Sequence, residues 1–304
     1  MDKQSMRRKN YLPTLVMLAL LAIGFVVSLS RHASASADIP IITGFGYLIM
    51  VVVGLAAGFL GGIIGTGGCS VMLPAIHFWL GYPPTVAVGT TLFAVIFTAI
   101  SGGYAHLVRR NLDIRATVCL GASGIAGVLL GSYLFILLSS QTELLGLLLG
   151  LAFVWPAVRM IGDGFFTRHR KDEREGNEIS GSAYALTVFG FVIGILTGVV
   201  GLGGGYALVP GLIYMFGAPV YVTMGTSLAT MIPLAVVGGG IKLAQGFVAI
   251  NAGIVLAAGT VIGAHVGASA IKRFRPNTLK LIFGLYFAYV SVKFIAGYFG
   301  IHVW

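Results

Sequence analysis

Two glycine-rich runs hold the residues best suited to chemistry: Gly61-Gly62-Ile63-Ile64-Gly65-Thr66-Gly67-Gly68 and Gly201-Leu202-Gly203-Gly204-Gly205. Each opens a short apolar stretch, 69–80 and 205–217, and each is followed by a hydroxyl-bearing motif. The motifs are Gly89-Thr90-Thr91-Leu92 and Gly225-Thr226-Ser227-Leu228. Glycine lets backbone amides approach a ligand, and the start of a helix presents free N–H groups with positive partial charge. This chemistry holds an anion without a dedicated cationic side chain. The candidate substrate-binding residues are therefore Gly67, Gly68, Gly203, Gly204 and Gly205, with Thr90, Thr91, Thr226 and Ser227 as hydroxyl donors. A nucleotide loop is excluded, because no Lys-Ser/Thr pair follows either run.

His106 and Lys242 are candidates for the two entrances of an anion pathway, one in each half of the chain. The acids are Asp2, Asp38, Asp113, Glu143, Asp163, Asp172, Glu173, Glu175 and Glu178, and none falls in the middle of an apolar run. A cation carrier or a carboxylate proton relay ordinarily needs such a group. Sodium bound to carbonyls remains open. Cys69 and Cys119 lack CxxC spacing, His77 and His265 stand alone, and no HExxH or comparable cluster occurs. No metal, cofactor or catalytic residue is expected, so the chain reads as a non-enzyme.

The elements that must position these residues follow from composition. Hydrophobic residues make up 57% and charged residues 9% of the 304 positions, with mean hydropathy +0.97. Soluble domains carry about 25% charged residues, so most of this chain must face lipid or other helices. The apolar runs lie near 11–30, 41–60, 69–80, 86–107, 116–139, 142–162, 183–200, 205–217, 222–244, 248–270 and 277–299. As helices, the two short ones reach only about 20 Å, against a hydrocarbon core of ~30 Å. They read as broken elements.

A net charge of +10 raises the question of nucleic acid. The basic residues sit between apolar runs, however, as the positive-inside rule requires. No nucleic-acid partner is expected. The first run follows Lys3, Arg7, Arg8 and Lys9 and precedes Ala35-Ser36-Ala37, so residues 1–37 read as an N-terminal helix or signal anchor. The remainder divides into a first repeat at 38–162, a cytoplasmic linker at 163–182, a second repeat at 183–299 and a tail at 300–304.

The division rests on self-similarity at an offset of 136 residues. Gly58/Gly194, Gly65/Gly201, Gly67/Gly203, Gly68/Gly204, Pro74/Pro210, Thr90/Thr226, Leu92/Leu228 and Gly131/Gly267 align without a gap, as do His106 and Lys242. If both short segments cross with their glycine loops, every basic residue except Arg31, Lys242 and Lys293 falls on the cytoplasmic side. If both were re-entrant, Arg109, Arg110, Arg115 and the linker would move outside. Crossing gives each half five elements, so the halves are expected to be inverted, a recurrent design of secondary transporters. The GxxxG pairs Gly58/Gly62 and Gly127/Gly131 read as helix-packing positions.

The paired pattern of glycine run, short Pro-bearing helix and Gly-Thr-(Thr/Ser)-Leu resembles the TauE/SafE family of sulfite and organosulfonate exporters. The resemblance spans roughly 41–299 and departs from a clean four-glycine run at Gly65-Thr66-Gly67-Gly68-Cys69. It implies a secondary transporter in the cell (inner) membrane that moves a small sulfur-containing anion. The expected fold is an all-α polytopic membrane protein of two inverted-topology repeats with short broken helices and an extra N-terminal helix. Expected partners are a small anionic solute and membrane lipid, with room for a coupling ion. A carrier of another small anion, such as a carboxylate, is the alternative. An intramembrane enzyme or a scaffold ranks below it.

Overall fold

Prolines and glycines punctuate the chain into helices, and little else is left over. The structure, a computed structural model, describes residues 3–30, 44–165, 178–270 and 276–301. The expectations for Ala35-Ser36-Ala37, most of the linker (166–177), the 272–275 loop and Trp304 lie outside the described residues. The helices are α1 (Lys3–Ser30), α2 (Gly44–Ile64), α3 (Cys69–Pro74), α4 (Pro84–Val108), α5 (Ile114–Ser139) and α6 (Thr142–Phe165). The second series is α7 (Ala183–Val200), α8 (Gly205–Met215), α9 (Val220–Ala244), α10 (Ile250–Ala270) and α11 (Pro276–Tyr298). After Pro74, which has no N–H to donate, α3 runs on as a π turn over Ala75–Trp79.

Local signals account for the boundaries. Pro83 and Pro219 are extended residues immediately ahead of α4 and α9. Asp113 and Ser182 cap α5 and α7 by accepting from the amides of Ala116 and Ala185. Among the described residues, seven helices, α2, α4, α5, α6, α7, α9 and α10, are long and apolar enough to cross a membrane. Large apolar side chains such as Val52, Val118, Leu129, Val158, Val188 and Val236 are exposed on their outer faces. In a membrane that surface is solvated by lipid. The chain is an all-helical multi-pass membrane protein.

Packing pairs α2 with α10, α5 with α7, α4 with α9 and α6 with α11, while α1 lies on α10. The GxxxG glycines sit where backbones touch. A Cβ at Gly58 would lie 2.6 Å from Thr260 Cα, and one at Gly194 would lie 2.9 Å from Gly124 Cα. Adding 136 to Gly58 gives Gly194, and subtracting it from Thr260 gives Gly124, so these two contacts exchange the halves. Gly127 against Phe191 and Gly194, and Gly263 against Leu55 and Gly58, behave the same way. Interlocked pairs of this kind leave α4 the most enclosed long helix, with α3 and α8 lodged beside the α4–α9 centre.

Candidate functional site

The glycine runs adopt one conformation twice. Gly65, Gly67 and Gly68 have φ of 82°, 69° and 73°, and Gly201, Gly203 and Gly204 have φ of 71°, 65° and 78°. A side chain at these left-handed positions would strain the backbone. Each run ends α2 or α7 with an amide returning to the preceding turn, Gly65 to the Gly61 carbonyl at 2.8 Å and Gly201 to that of Thr197 at 2.9 Å. It then starts a new helix at once. The carbonyl of Gly68 accepts from Val71 and Met72, and that of Gly204 from Ala207 and Leu208. Neither Gly68 nor Gly204 provides a side-chain cap. The first amides of α3 and α8 therefore have no intrahelical acceptor and no capping side chain.

The two runs converge. A Cβ at Gly67 would lie 2.5 Å from Met231 Cε and 3.5 Å from Val95 Cγ1. A Cβ at Gly203 would lie 2.6 Å from that same Met231 Cε and 3.0 Å from that same Val95 Cγ1. Val95 on α4 and Met231 on α9 are themselves 136 positions apart. The runs also touch directly: Cys69 Sγ donates to the carbonyls of Thr66 and Leu202, and a Cβ at Gly205 would lie 2.7 Å from Thr66 Cα. Val95 and Met231 thus fill the point toward which both runs turn. The arrangement is closed, and its stopper includes a flexible thioether.

The four expected hydroxyl donors divide. Thr90 Oγ1 accepts from the Ala249 amide at 2.9 Å, and Thr226 Oγ1 accepts from the Asp113 amide at 3.0 Å. Beside them, a Cβ on Gly89 would strike the Phe247 carbonyl and one on Gly225 the Asn111 carbonyl. Each Gly-Thr pair therefore docks the loop that follows the central helix of the other half. Ser227 Oγ donates to the Gly65 carbonyl at 2.9 Å and so braces the first glycine run. Thr91 Oγ1 is buried with no partner among the described residues.

Several polar groups join the site without having been expected from sequence. Thr66 Oγ1, Ser70 Oγ and Tyr206 OH are buried and have no partner among the described residues. Thr66 and Tyr206 line a narrow apolar cavity with Ile64, Pro210, Met224 and Phe287. The available signal was register, since Ser70 and Tyr206 hold the same offset-related position in the first turns of α3 and α8.

His106 and Lys242 stand apart from this cluster. Both lie in the last turn of their helices and neither is exposed. His106 Nε2 is 3.1 Å from the Gly62 carbonyl, whereas Lys242 Nζ faces the Phe135 ring with no hydrogen-bond partner among the described residues. Among the described residues no group of His, Cys, Asp or Glu is arranged to hold a metal ion.

A sequence model described as "Sulfite exporter TauE/SafE" matches residues 50–294. A probable membrane transporter protein of Bacillus subtilis, YunE, is 26% identical over 265 residues, covering 82% of this chain and 97% of that protein. A second from the same organism, YdhB, is 29% identical over 222 residues, covering 73% and 87%. No solved structure shows a significant match.

Proposed function

The chain belongs to the sulfite exporter TauE/SafE family, and on that premise we propose that it is a secondary transporter of a small sulfur-containing anion, sulfite or a sulfonate. The observation that carries this reading is the meeting of two uncapped helix starts at Val95 and Met231. Each helix start acts as about half a positive charge, so the pair offsets about one negative charge. Amides at Gly67, Gly68, Gly203, Gly204 and Gly205 bind the anion's oxygens, and Thr91 supplies a hydroxyl donor. Thr90, Thr226 and Ser227 act on the site mainly by fixing the loops and the glycine run around it.

Alternating access follows from the same parts. Contacts that exchange the two halves fit a two-fold relation, and an odd number of crossing elements per half makes that relation an inversion. Anion entry requires Met231 and Val95 to withdraw, and a rocking of one half against the other moves them. A carboxylate satisfies the same amides, so acetate is the natural competitor to test.

Counterflow in proteoliposomes tests the reading. Sulfite and methanesulfonate exchange across the bilayer, acetate exchanges less well, and choline and potassium do not move. Transport of a cation with no anion effect contradicts it. Topology has its own assay, in cells carrying the Cys69→Ala/Cys119→Ala background. Arg110→Cys and Arg170→Cys are expected to escape an impermeant maleimide applied to intact cells; strong labelling of both removes the inversion.

A further inference from the structure

Lys242 is an anomaly among the basic residues whose side chains are described. It has no exposed surface, and its Nζ lies 3.1 Å from the centroid of the Phe135 ring. Phe135, from α5, is fully buried and packs edge-on against Phe247 in the loop that follows α9. Asp113, the acid that caps the start of α5, lies at the opposite end of that helix from Phe135. A buried lysine head group with neither acceptor nor counter-ion among the described residues is costly, and an aromatic face offsets only part of that cost. A lysine at a helix end ordinarily snorkels to water, and this one does not.

The neighbouring turn of α5 has the same imbalance. Ser132, one helical turn before Phe135, is buried with an Oγ that has no partner among the described residues. The counterpart of Lys242 in the first half, His106, bonds the Gly62 carbonyl through Nε2, whereas Lys242 Nζ has no such bond.

We propose that Lys242, with the Ser132 hydroxyl as second donor, forms a separate oxyanion subsite on one side of the glycine-run site. The inference rests on the reading above that the solute is an anion. It adds a side-chain ammonium, once the amine is protonated, where the glycine runs offer only partial charges. Lys242 follows Met231 by eleven residues on α9, which places the subsite about 16 Å along that helix. In the closed arrangement Phe135 occupies the face of the ammonium. When the end of α9 opens, a sulfite, sulfonate or carboxylate oxygen accepts from Nζ and Phe135 is released.

The test pairs counterflow of sulfite, methanesulfonate and acetate with melting of the purified protein, for wild type, Lys242→Met, Lys242→Arg and Ser132→Ala. Methionine keeps much of the stem and removes an unpartnered buried amine. Lys242→Met therefore raises Tm while raising KM for the transported anion about 30-fold or more. Lys242→Arg retains the charge and holds KM within about threefold. Ser132→Ala gives a smaller rise in KM. A lower Tm or an unchanged KM in Lys242→Met overturns the inference and leaves the glycine-run site standing. Failure of Lys242→Arg to restore KM overturns it as well, because a purely structural role then explains the loss. If wild type moves none of the three anions, the parent reading fails and this inference falls with it.

Discussion

The first and second halves share one backbone and fill it with different side chains. Position 69 is a cysteine whose thiol bridges to the Thr66 and Leu202 carbonyls. Its counterpart at 205 is a glycine, and any Cβ there would lie 2.7 Å from both Thr66 Cα and Met231 Sδ. Thr66 in the first run faces Leu202 in the second, and Ser70 answers to Tyr206. Near the far ends of α4 and α9, His106 Nε2 bonds the Gly62 carbonyl, whereas Lys242 Nζ has no hydrogen-bond partner among the described residues. The shared features are those that shape the backbone: the left-handed glycines, the uncapped starts and the Gly-Thr docking of the opposite loop. The differences include side chains beside the point where the two runs meet, so the proposed site is lined unequally by the two halves.

Positions 69 and 205 offer the sharpest way to break this comparison. Gly205→Cys leaves no room beside Cys69 and is expected to abolish counterflow and lower the yield of monodisperse protein. Cys69→Gly removes a packed thiol and adds backbone freedom, costing about 1–3 kcal/mol by thermal melting with transport largely kept. Because the two positions are related by exchange, the double variant Cys69→Gly/Gly205→Cys should recover part of what Gly205→Cys loses. Equal damage from both single variants, or no recovery in the double, would show that the positions are not equivalent.

The docking contacts give a smaller, symmetric effect. Thr90→Val and Thr226→Val each leave a buried loop amide without its acceptor, at a cost of about 1–3 kcal/mol. The two losses of stability should match within about 0.5 kcal/mol. A loss confined to one half would mean that only one loop is held in this way.

Substituting the stopper tests the comparison most gently. Met231→Leu conserves volume and removes flexibility, and its stability change should stay below about 1.5 kcal/mol. Counterflow should slow without a change in KM, since a branched side chain withdraws less readily. An unchanged rate would show that Met231 does not need to move.

Much of this architecture is legible in the sequence, for definable reasons. Apolar runs bounded by glycine and proline place the helices within a few residues, because in lipid an unpaired backbone group cannot be tolerated. The glycine runs are legible because left-handed φ leaves a residue-type signature. The Gly-Thr motifs were legible as a pattern and not as a contact. Thr90 meets Ala249 across 159 residues, and nothing local announces that partner. Reading the hydroxyls as solute donors therefore missed the acceptor role that Thr90 and Thr226 take. Lys242 was legible as a pathway candidate, but its burial was not, for a related reason. A lysine at a helix end looks the same in sequence whether its surroundings are water or the Phe135 ring. The π turn after Pro74, absent from the offset-related Pro210 in α8, likewise has no separate signal in the apolar run.

The central claim is that both glycine runs build one anion site, and calorimetric titration of the purified protein with sulfite tests it most directly. Wild type is predicted to bind one sulfite per chain. Gly67→Leu and Gly203→Leu each place a side chain against Met231 and Val95, and each should abolish binding while the protein stays monodisperse. Full binding by either variant, or two equivalent sites in wild type, would contradict a single site shared by the two halves.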